Sequence, residues 1–410
     1  MPRKVCIITP GTIASNPRVV KEAEALSEAG YHVHLIYTRH VNYLIEHDQA
    51  ILNEHPKWTV DYLDWTSSKF KSKALKLFSG LKKKIANYIL TYNLYTDEFD
   101  PLLINRFYFW QLKKAIAFKA DLYIAHYPDC LNIAFKAAKA NNAYFAFDAE
   151  DYHRGEDLHP SKIKLIKKIE DLVLPSAKYI SVSSALIGDE YQKLYPKVPV
   201  VNIENMFPIK SQPPLKKIHN EVFKFFWFSQ TIGPKRGLEE FIAILGKTNK
   251  KNIQLSLLGN VLKSFQSELN DHWYTAGLPS KGLVFINTVP EREIFDIASG
   301  HHFGLALETA HSHNRDICLT NKLYTYILSG NFLILSNTAG QKKFHQTHPQ
   351  TGICLKLENI EHSAKKLEEL FLDIETVNHA RQSNYKLGES ELNFDREKQF
   401  LIRRVNSLWK

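Results

Sequence analysis

Short apolar runs of strand length alternate with amphipathic helical segments along most of this chain, and this alternation restricts its fold more than any other feature. Its clearest unit is Thr320–Ser336, TNKLYTYILSGNFLILS. Apolar residues at helical spacing predict a helix with Asn321 as its N-cap and Gly330 at its end. The run Phe332–Leu335 predicts a strand covered on both faces. A helix that begins at the edge of such a sheet suits a phosphate group, although an ordinary crossover connection has the same pattern.

The N-terminal residues form a second unit of this kind. Val5–Thr9 is an apolar run, Asn16-Pro17 marks the start of a helix, and Gly30 marks its end. Val33–Tyr37 is the next apolar run. A strand, a loop, a helix and a strand in this order predict the opening of a parallel, doubly wound sheet. The loop lacks the pattern GxGxxG, so a dinucleotide site is only weakly indicated.

The alternation continues to residue 203 and resumes at residue 223, and the segment Asn205–Lys217 between them contains three prolines. That composition is typical of a linker, and 410 residues are enough for two domains. We therefore predict an α/β protein with two doubly wound, Rossmann-like domains that face each other across a cleft. The predicted parts are an N-terminal domain, a linker, a C-terminal domain and a terminal helix that crosses back to the N-terminal domain: 1–204, 205–217, 218–390 and 391–410.

Charge and composition narrow the functional classes. The formal net charge of +10 implies an anionic partner. No apolar run approaches the roughly 18–20 residues of a membrane-spanning helix, and the N-terminus leads into a strand rather than a secretory signal. The four cysteines are far apart in the sequence. This favours buried thiols in a reducing cytoplasm over disulfides or a metal site.

The segment Lys69–Lys84, KFKSKALKLFSGLKKK, predicts a basic amphipathic helix. Its apolar residues share one helical face, and its lysines lie largely off that face. Such a helix can lie on an anionic membrane surface, where each lysine adds about 1 kcal/mol, or it can pack its apolar stripe on its own domain. Nucleic-acid binding is disfavoured, because no recognised binding module accompanies the lysines and no aromatic platforms are interleaved with them.

Five segments occur in an order that resembles a known group of enzymes. The chain opens with ITPGTIASNPRVVKEAEALSEAGYHVHLI. Its C-terminal half contains, in order, FSQTIGPKRGLEEFI, IQLSLLGN, VFINTVPEREIFDIASGHHFGLAL and NKLYTYILSGNFLILS. Together they resemble the GT-B glycosyltransferases, and most closely glycosyltransferase family 4 (glycosyl transferases group 1).

The resemblance implies a nucleotide-sugar donor on the C-terminal domain and a saccharide or lipid-linked acceptor on the N-terminal domain. It implies a metal-independent, retaining, hexosyl-type transfer with no cofactor beyond the nucleotide-sugar co-substrate. By position, it assigns Arg236 to the donor phosphates with Lys235 beside it, and the backbone of Val289 to the nucleotide base. The start of the opening helix completes the phosphate site with Asn321, Lys322 and Leu323. Positive groups and helix amides at this place stabilise the charge that develops on a departing diphosphate.

The chain departs from the family at two acidic positions. The family carries two glutamates eight residues apart, and alignment on NKLYTY puts Ile317 and Thr325 at those positions. Thr325 offers the donor ribose a hydroxyl in place of a carboxylate. Glu308 and Asp316 have the same spacing but occur too early in the sequence, so we interpret their spacing as coincidence.

A polar loop follows a predicted buried strand on the donor side. By resemblance, its residues His311 and Arg315 face the donor sugar and phosphates. The alternative is an ordinary surface loop. A zinc site at the two histidines of this loop is disfavoured, because no third ligand is indicated.

The acceptor-side candidates follow strands of the N-terminal half. AFDAEDYHRGE resembles the family's Asp-x-His-Glu segment, with Glu150 in place of the histidine. A carboxylate there can orient the reacting hydroxyl or accept its proton. The predicted catalytic residues are Glu150, Asp148 and His126. The predicted acceptor-binding residues are Gly11, Thr12, Asn16 and Arg18. For Asp148, His126 and Arg18 the alternative is a structural role in bracing or capping.

From these observations we predict a glycosyltransferase of cell-surface polysaccharide or glycolipid synthesis. It would act in the cytoplasm, peripherally at the inner face of the plasma membrane. The missing glutamates favour a second hypothesis, a non-catalytic GT-B-like scaffold or peripheral membrane-binding protein.

Overall fold

Two parallel sheets, one in each half of the chain, organise the computed structural model of this protein. The structure describes residues 2–67, 69–92, 100–219, 221–249 and 252–410. These residues belong to two units, which we call the N-terminal unit (Met1–Ile203 with Lys398–Lys410) and the C-terminal unit (Glu204–Glu397).

The N-terminal unit contains a seven-stranded sheet in the order β3-β2-β1-β4-β5-β6-β7, with all neighbouring strands parallel. Its strands are β1 (Lys4–Ile8), β2 (His32–Arg39), β3 (Thr59–Asp64), β4 (Leu122–His126), β5 (Tyr144–Ala149), β6 (Ile180–Val182) and β7 (Val200–Asn202). The central strands are apolar along their length because helices cover both faces of the sheet. The strand order reverses between β1 and β4, which opens a crevice at the carboxyl ends of these strands.

The helices of the N-terminal unit connect these strands. They are α1 (Pro17–Glu28), α2 (Ile45–Glu54), α3 (Phe70–Thr91), α4 (Asp100–Ile104), α5 (Tyr108–Phe118), α6 (Pro128–Ala140), α7 (Pro160–Val173) and α8 (Ala185–Leu194). Helix α1 begins where the sequence predicts, since the Asn16 side chain accepts a hydrogen bond from the Val19 amide and Pro17 occupies the first helical position. Gly30 follows it with a φ of +90°, a conformation that glycine adopts without strain.

The C-terminal unit contains a six-stranded parallel sheet in the order β10-β9-β8-β11-β12-β13. Its strands are β8 (Phe223–Ile232), β9 (Ile253–Val261), β10 (Leu283–Ile286), β11 (Phe303–Ala306), β12 (Phe332–Ser336) and β13 (Gly352–Leu355). The order reverses between β8 and β11. Gly304 allows helix and sheet to approach closely, because a Cβ atom there would lie 2.2 Å from Cγ of Tyr326.

The helices of this unit complete two further layers around an aromatic-rich core that includes Phe225, Trp227 and Phe303. They are α9 (Leu238–Gly246), α10 (Lys263–Thr275), α11 (Glu291–Ser299), α12 (His313–Ile317), α13 (Asn321–Leu328), α14 (Ala339–Thr347), α15 (Ile360–Leu372), α16 (Ile374–Ser390) and α17 (Phe394–Ser407). Helix α17 begins in the C-terminal unit, and its residues from Lys398 onward belong to the N-terminal unit.

The predicted α/β class, with two doubly wound parallel sheets, is confirmed. The predicted cap of α13 is wrong by one residue. Thr320 is the N-cap, with extended backbone angles, and Asn321 is already the first helical residue. The proline-rich segment is fastened to the C-terminal unit, because the Ile209 amide donates to Asp395 and the Phe394 amide donates to Phe207 O. Among the described residues, no helix has the length and apolar composition needed to cross a bilayer.

Candidate functional site

Two loops meet at the carboxyl edge of the C-terminal sheet, at the point where its strand order reverses. The loop after β8 carries Lys235 and Arg236, and the loop after β11 carries Glu308 and Thr309. The Thr309 hydroxyl donates to the Lys235 carbonyl at 3.0 Å and ties the loops together. The turn is tight, with a φ of +60° at Lys235 and +77° at Gly237. Ligands of doubly wound sheets bind at this kind of position.

Glu308 is a buried carboxylate surrounded by basic groups. Its Oε1 atom lies 3.0 Å from Nζ of Lys322, and its exposed fraction is 5%. Burial alone would raise the pKa of Glu308. The charge and hydrogen bond of Lys322, with the charges of Arg315 and Arg236, instead lower it below its ordinary value. We call Arg236, Arg315 and Lys322 the cation cluster. Lys322 pairs with Glu308, and the charges of Arg315 and Arg236 act on the same carboxylate, so this loop pair carries a concentration of positive charge that suits an anion.

Arg236 is the member of the cluster most open to a ligand. It is half-buried, and its guanidinium makes no hydrogen bond or ion pair with any residue in the described ranges. A guanidinium held in this way can bind a phosphate in a bidentate manner.

The start of α13 adds backbone donors near Lys322. In the part of the chain that the structure describes, the amides of Asn321 and Lys322 have no hydrogen-bond acceptor, and Thr320 forms no side-chain cap. The Leu323 amide, by contrast, donates to Thr320 O at 3.2 Å. Thr325 is buried, and its hydroxyl donates to Asn321 O within the helix. The predicted donor contacts of Leu323 and Thr325 are therefore disfavoured, because both donors are already used.

The polar loop after β11 lies beside the cluster. His311 Nδ1 is 3.0 Å from the Thr309 hydroxyl, and that hydroxyl gives its proton to Lys235 O, so His311 is the donor in this contact. Ser312 caps the short helix α12 through the Arg315 amide. The structure thus brings together five of the predicted donor residues: Lys235, Arg236, His311, Arg315 and Lys322.

Val289 lies in the loop between edge strand β10 and helix α11. Its backbone amide and carbonyl form no hydrogen bond among the described residues, so both are available to a planar base. The role predicted for it remains a prediction.

Sequence reasoning set aside one residue of this site. Glu308 was interpreted as part of a coincidental spacing with Asp316. The two carboxylates contact different groups: Glu308 pairs with Lys322, whereas Asp316 accepts a hydrogen bond from the Ala339 amide at the start of α14. The signal for Glu308 was its position, directly after the apolar run of a central strand, where polar residues often serve a ligand.

The carboxyl edge of the N-terminal sheet carries a different arrangement, which we call the buried network (Arg18, Glu22, His126 and Asp148). Nε and Nη2 of Arg18 donate to the two carboxylate oxygens of Asp148 at 2.6 and 2.7 Å. His126 Nε2 lies 2.7 Å from Glu22, and its Nδ1 lies 3.3 Å from Asp148. All four side chains are buried, with exposed fractions of 1–5%. Two basic groups and two acids therefore compensate one another.

The pKa values within this network follow from its burial and pairing. Burial raises the pKa of Glu22 despite the opposing hydrogen bond from His126. Burial would lower the pKa of His126, but the charge of Asp148 and the hydrogen bond to Glu22 raise it overall. Burial would raise the pKa of Asp148, but Arg18 and His126 lower it overall. Both Glu22 and His126 therefore hold a proton more tightly in the folded protein than in free solution.

This geometry favours bracing over the catalytic role predicted for Asp148 and His126. A reacting hydroxyl would have to displace Arg18 or Ser181 to reach Asp148. Arg18 also donates to the Ile203 carbonyl, which joins the end of the sheet to α1. Of the two roles that the sequence left open for Arg18, the structure favours the bracing one.

The predicted acceptor-binding residues near β1 shape their own loop. The Thr12 and Ser15 hydroxyls are hydrogen-bonded at 2.8 Å, and Asn16 caps α1. Asn16 Nδ2 is buried and has no hydrogen-bond partner among the described residues. Gly11 is half-buried beside His40, whose ring would lie 3.3 Å from a Cβ atom on Gly11. These contacts leave Gly11 as the position where a substrate can approach the backbone most closely.

Glu150 is the predicted catalytic residue that remains accessible at this edge. It is half-buried after β5, and burial, with the nearby charge of Asp151, raises the pKa of its carboxyl. The Tyr127 hydroxyl donates to its Oε2 atom at 3.3 Å. Tyr127 has a φ of 65° and a ψ of 151°, an unfavourable combination for a residue with a side chain. Sequence reasoning missed Tyr127, whose only signal was its place between a central strand and Pro128.

No group of three or more histidine, cysteine or acidic residues is arranged to hold a metal ion in the described part of the chain. The histidines of the polar loop accordingly have no third ligand there.

Comparison with known proteins identifies the fold. Neither a protein-family model nor a curated protein sequence matches the chain. Solved structures do match over its full length. Anabaena HepE in complex with UDP and glucose has a TM-score of 0.67 at 13% identity, covering 99% of this chain and 100% of that one. Sucrose-phosphate synthase from Thermosynechococcus elongatus has a TM-score of 0.73 at 11% identity, covering 99% of both chains. S. aureus TarM, as a variant in complex with fondaparinux, alpha-GlcNAc-glycerol and UDP, has a TM-score of 0.66 at 10% identity, covering 98% of this chain and 100% of that one. The chain has the GT-B fold that these proteins share.

Proposed function

We propose that this GT-B protein is a hexosyl-type glycosyltransferase that uses a nucleotide-sugar donor. The observation that carries the proposal is the cation cluster, in which Lys322 pairs with Glu308 and the charges of Arg315 and Arg236 act on the same carboxylate, at the point where the strand order of the sheet reverses. The donor diphosphate binds Arg236, Arg315 and Lys322, with Lys235 and His311 at its margin. The amides of Asn321 and Lys322 add two hydrogen-bond donors at a helix N-terminus.

The cluster fits the chemistry of glycosyl transfer. The bond between the anomeric carbon and the diphosphate oxygen breaks, and the nucleoside diphosphate leaves with an additional negative charge. Fixed cations and helix amides placed at that oxygen stabilise the charge as it develops. We propose that the acceptor hydroxyl bonds to the anomeric carbon on the same face from which the diphosphate leaves, and loses its proton, so that the anomeric configuration is retained. Since the cluster supplies the compensating charge, we propose that transfer requires no metal and no cofactor beyond the co-substrate.

Glu150 is the group that we assign to the acceptor hydroxyl. Its raised pKa brings the carboxylate closer to the proton affinity that a general base requires near neutral pH. The Tyr127 hydroxyl orients it. We assign the acceptor to the N-terminal unit, near Gly11, and we propose a saccharide or lipid-linked acceptor of cell-surface polysaccharide or glycolipid synthesis in the cytoplasm.

The nature of the donor base is supported by the solved relatives. HepE and TarM are recorded in complex with UDP, and HepE also with UDP-glucose. We therefore propose a UDP-sugar donor whose base contacts the backbone of Val289.

Calorimetry with UDP-, GDP- and CMP-sugars tests this proposal. We expect saturable binding of one UDP-sugar, and a loss of affinity of about tenfold to a hundredfold in Arg236→Ala, because a charge-assisted bidentate contact is removed. The matched control is Lys386→Ala, which removes an exposed cation from α16 in the same unit. Absence of binding to every nucleotide-sugar, or an equal loss in both variants, would overturn the proposal.

The second candidate is a non-catalytic GT-B-like scaffold. It is favoured by Thr325, which replaces the family's ribose-binding glutamate and uses its hydroxyl within its own helix. A scaffold binds the nucleotide-sugar without consuming it. Release of UDP over hours, measured with and without acceptor extracts and abolished by Arg236→Ala, distinguishes the enzyme from the scaffold.

A further inference from the structure

Helix α3 holds its domain with a narrow face of small residues. Ser72 and Ser79 are buried, and Ala86 is half-buried, at intervals of seven residues. Ser72 forms a hydrogen bond with Asp64, and Arg106 donates to the Ser79 carbonyl at 3.1 Å. The neighbours of this face are α4 and α7. Beside these small residues, Leu75 and Ile89 are half-buried, so only a small part of the apolar surface of α3 attaches it to the N-terminal unit.

The large apolar side chains of α3 point away from the protein. Six of them have exposed fractions of 52–87%: Phe70, Leu77, Phe78, Leu81, Ile85 and Tyr88. At 100° per residue they occupy an arc of about 100° on the side opposite the serines. We call them the apolar stripe. The expectation that this stripe could pack on its own domain is thus wrong, because the domain contacts the opposite face.

Lysines border the apolar stripe on both sides. Lys71 and Lys82 lie along one border, Lys73 and Lys84 lie along the other, and all four are exposed. Lys76 is also exposed, and its amino group contacts Ser67. Long lysine side chains can keep an amino group at a polar surface while the helix beside them enters an apolar layer.

The charge pattern of α3 indicates which kind of partner binds this surface. From Lys69 to Tyr92 the sequence contains no acidic residue. A second copy of the chain on this stripe would bring two lysine borders together, and nucleic acid would meet apolar side chains where it needs polar contacts. A layer with anionic headgroups above an apolar interior satisfies both the lysines and the stripe.

We propose that α3 is a membrane-docking helix that lies flat on a bilayer rich in anionic lipids. The apolar stripe enters the boundary between headgroups and acyl chains, and the lysine borders lie at the level of the lipid phosphates. This inference is independent of whether the C-terminal unit binds a sugar donor.

Vesicle flotation of the full chain tests the inference. On vesicles that mix phosphatidylcholine with phosphatidylglycerol, we expect at least tenfold stronger partitioning than on phosphatidylcholine alone, because each lysine near an anionic surface contributes about 1 kcal/mol. Raising the salt should weaken binding, because it screens the lysines. Equal partitioning on both vesicles would overturn the inference, as would a preference for vesicles that salt does not affect.

Two variants separate the stripe from general surface properties. The triple variant Leu77→Ser, Leu81→Ser, Ile85→Ser is expected to lose binding more than tenfold. The matched control Leu262→Ser, Tyr274→Ser, Leu372→Ser alters three exposed apolar residues of the C-terminal unit and is expected to bind vesicles as the parent does. Unchanged binding by the first variant would contradict the inference. So would a dimer in sedimentation analysis that the first variant disrupts, or a salt-dependent affinity for random DNA that exceeds the affinity for vesicles.

Nucleotide-sugar calorimetry on the same triple variant keeps the two proposals apart. All three substituted side chains are exposed, so we expect the same donor affinity as the parent protein. A variant that binds neither vesicles nor donor would be misfolded. In that case the lysine variant Lys73→Ala, Lys84→Ala, with an expected loss of salt dependence, decides the question.

Discussion

At the carboxyl edge of the N-terminal sheet, Arg18 and His126 meet Asp148 and Glu22, and the four side chains are buried together. At the carboxyl edge of the C-terminal sheet, Glu308 is shared by the cation cluster, and Arg236 has no partner within the described residues. Both groups occupy the place where the strand order of a parallel sheet reverses. In the buried network the charges are balanced and closed to solvent, whereas the cation cluster carries excess positive charge and Arg236 is open to a ligand.

This difference separates two uses of the same residue types. Charges that compensate each other in a closed space fix the positions of strands and helices, and removing one partner exposes the other to a large desolvation cost. Where charges of one sign outnumber the opposite charges around them, the excess attracts a ligand of the opposite sign. A strand-end location alone therefore does not identify a catalytic group.

We expect the largest effect from a substitution that disrupts the buried network. Asp148→Asn removes the carboxylate charge that Arg18 contacts through two hydrogen bonds in a buried site, so we expect a loss of about 3–5 kcal/mol in the free energy of unfolding of the N-terminal unit. Urea unfolding measures this loss. Asp157→Asn, at an exposed position of the same unit, should change stability by less than about 0.5 kcal/mol. A loss of activity without a loss of stability would restore Asp148 as a catalytic residue.

The next effect concerns alkaline pH. The pKa of His126 is raised in the folded state, so its contribution is complete below about pH 6.5 and is lost as the pH rises through the folded value. Glu22 acts in the same direction, because its pKa is also raised. Glu308 has a lowered pKa, so its contribution is lost only as the pH falls.

We therefore expect stability to fall with rising pH by about 1.4 kcal/mol per pH unit for each proton that the folded network keeps and the unfolded chain has lost. Urea unfolding between pH 6 and pH 9 on the parent and on His126→Gln isolates this contribution. Parallel curves for the two proteins would show that His126 carries no extra proton in the folded state.

We expect a smaller effect, on the affinity for UDP, when the negative charge next to the cation cluster is removed. Glu308→Gln keeps the shape of the side chain and removes the negative charge that pairs with Lys322, so we expect UDP to bind about fivefold more tightly, or about 1 kcal/mol. Calorimetry measures the affinity, and Glu389→Gln on α16 serves as an exposed control. Weaker binding by Glu308→Gln would mean that its main role is to hold Lys322 in place.

The smallest effect concerns Glu150. Tyr127→Phe removes the hydroxyl that donates to the carboxylate, so the ionised form loses a hydrogen bond and the pKa of Glu150 should rise further. The acidic limb of the pH–activity profile should shift toward higher pH. Tyr43→Phe, at a position 75% exposed, should leave the profile unchanged. A profile that does not move in Tyr127→Phe would separate Glu150 from the proton transfer.

Local signals in the sequence predict much of this molecule. The Asn16-Pro17 start of α1 and the glycine after α13 follow from capping preferences that act over a few residues. The place of Arg236 after a strand follows from the alternation of elements. The start of α13 was misplaced by one residue because Thr320 and Asn321 are both good caps, and only the backbone angles distinguish them.

Long-range pairing accounts for what the sequence could not supply. Arg18 and Asp148 are 130 residues apart, and nothing near either residue indicates that they neutralise each other. Glu308 and Lys322 are separated by 14 residues, and their contact depends on the relative placement of β11 and α13. The stripe of α3 has the same periodicity as a buried helix face, so only the packing of the opposite face shows that it is exposed.

The narrow face of small residues on α3 affects how easily this helix separates from the rest of the unit. A helix held by Ser72, Ser79 and Ala86 gives up few apolar contacts when it lifts from α4 and α7. Its backbone amides should therefore exchange with deuterated solvent well before those of α6, whose apolar face is buried in the core. A partner that binds the apolar stripe would slow amide exchange in α3 without contacting the sheet.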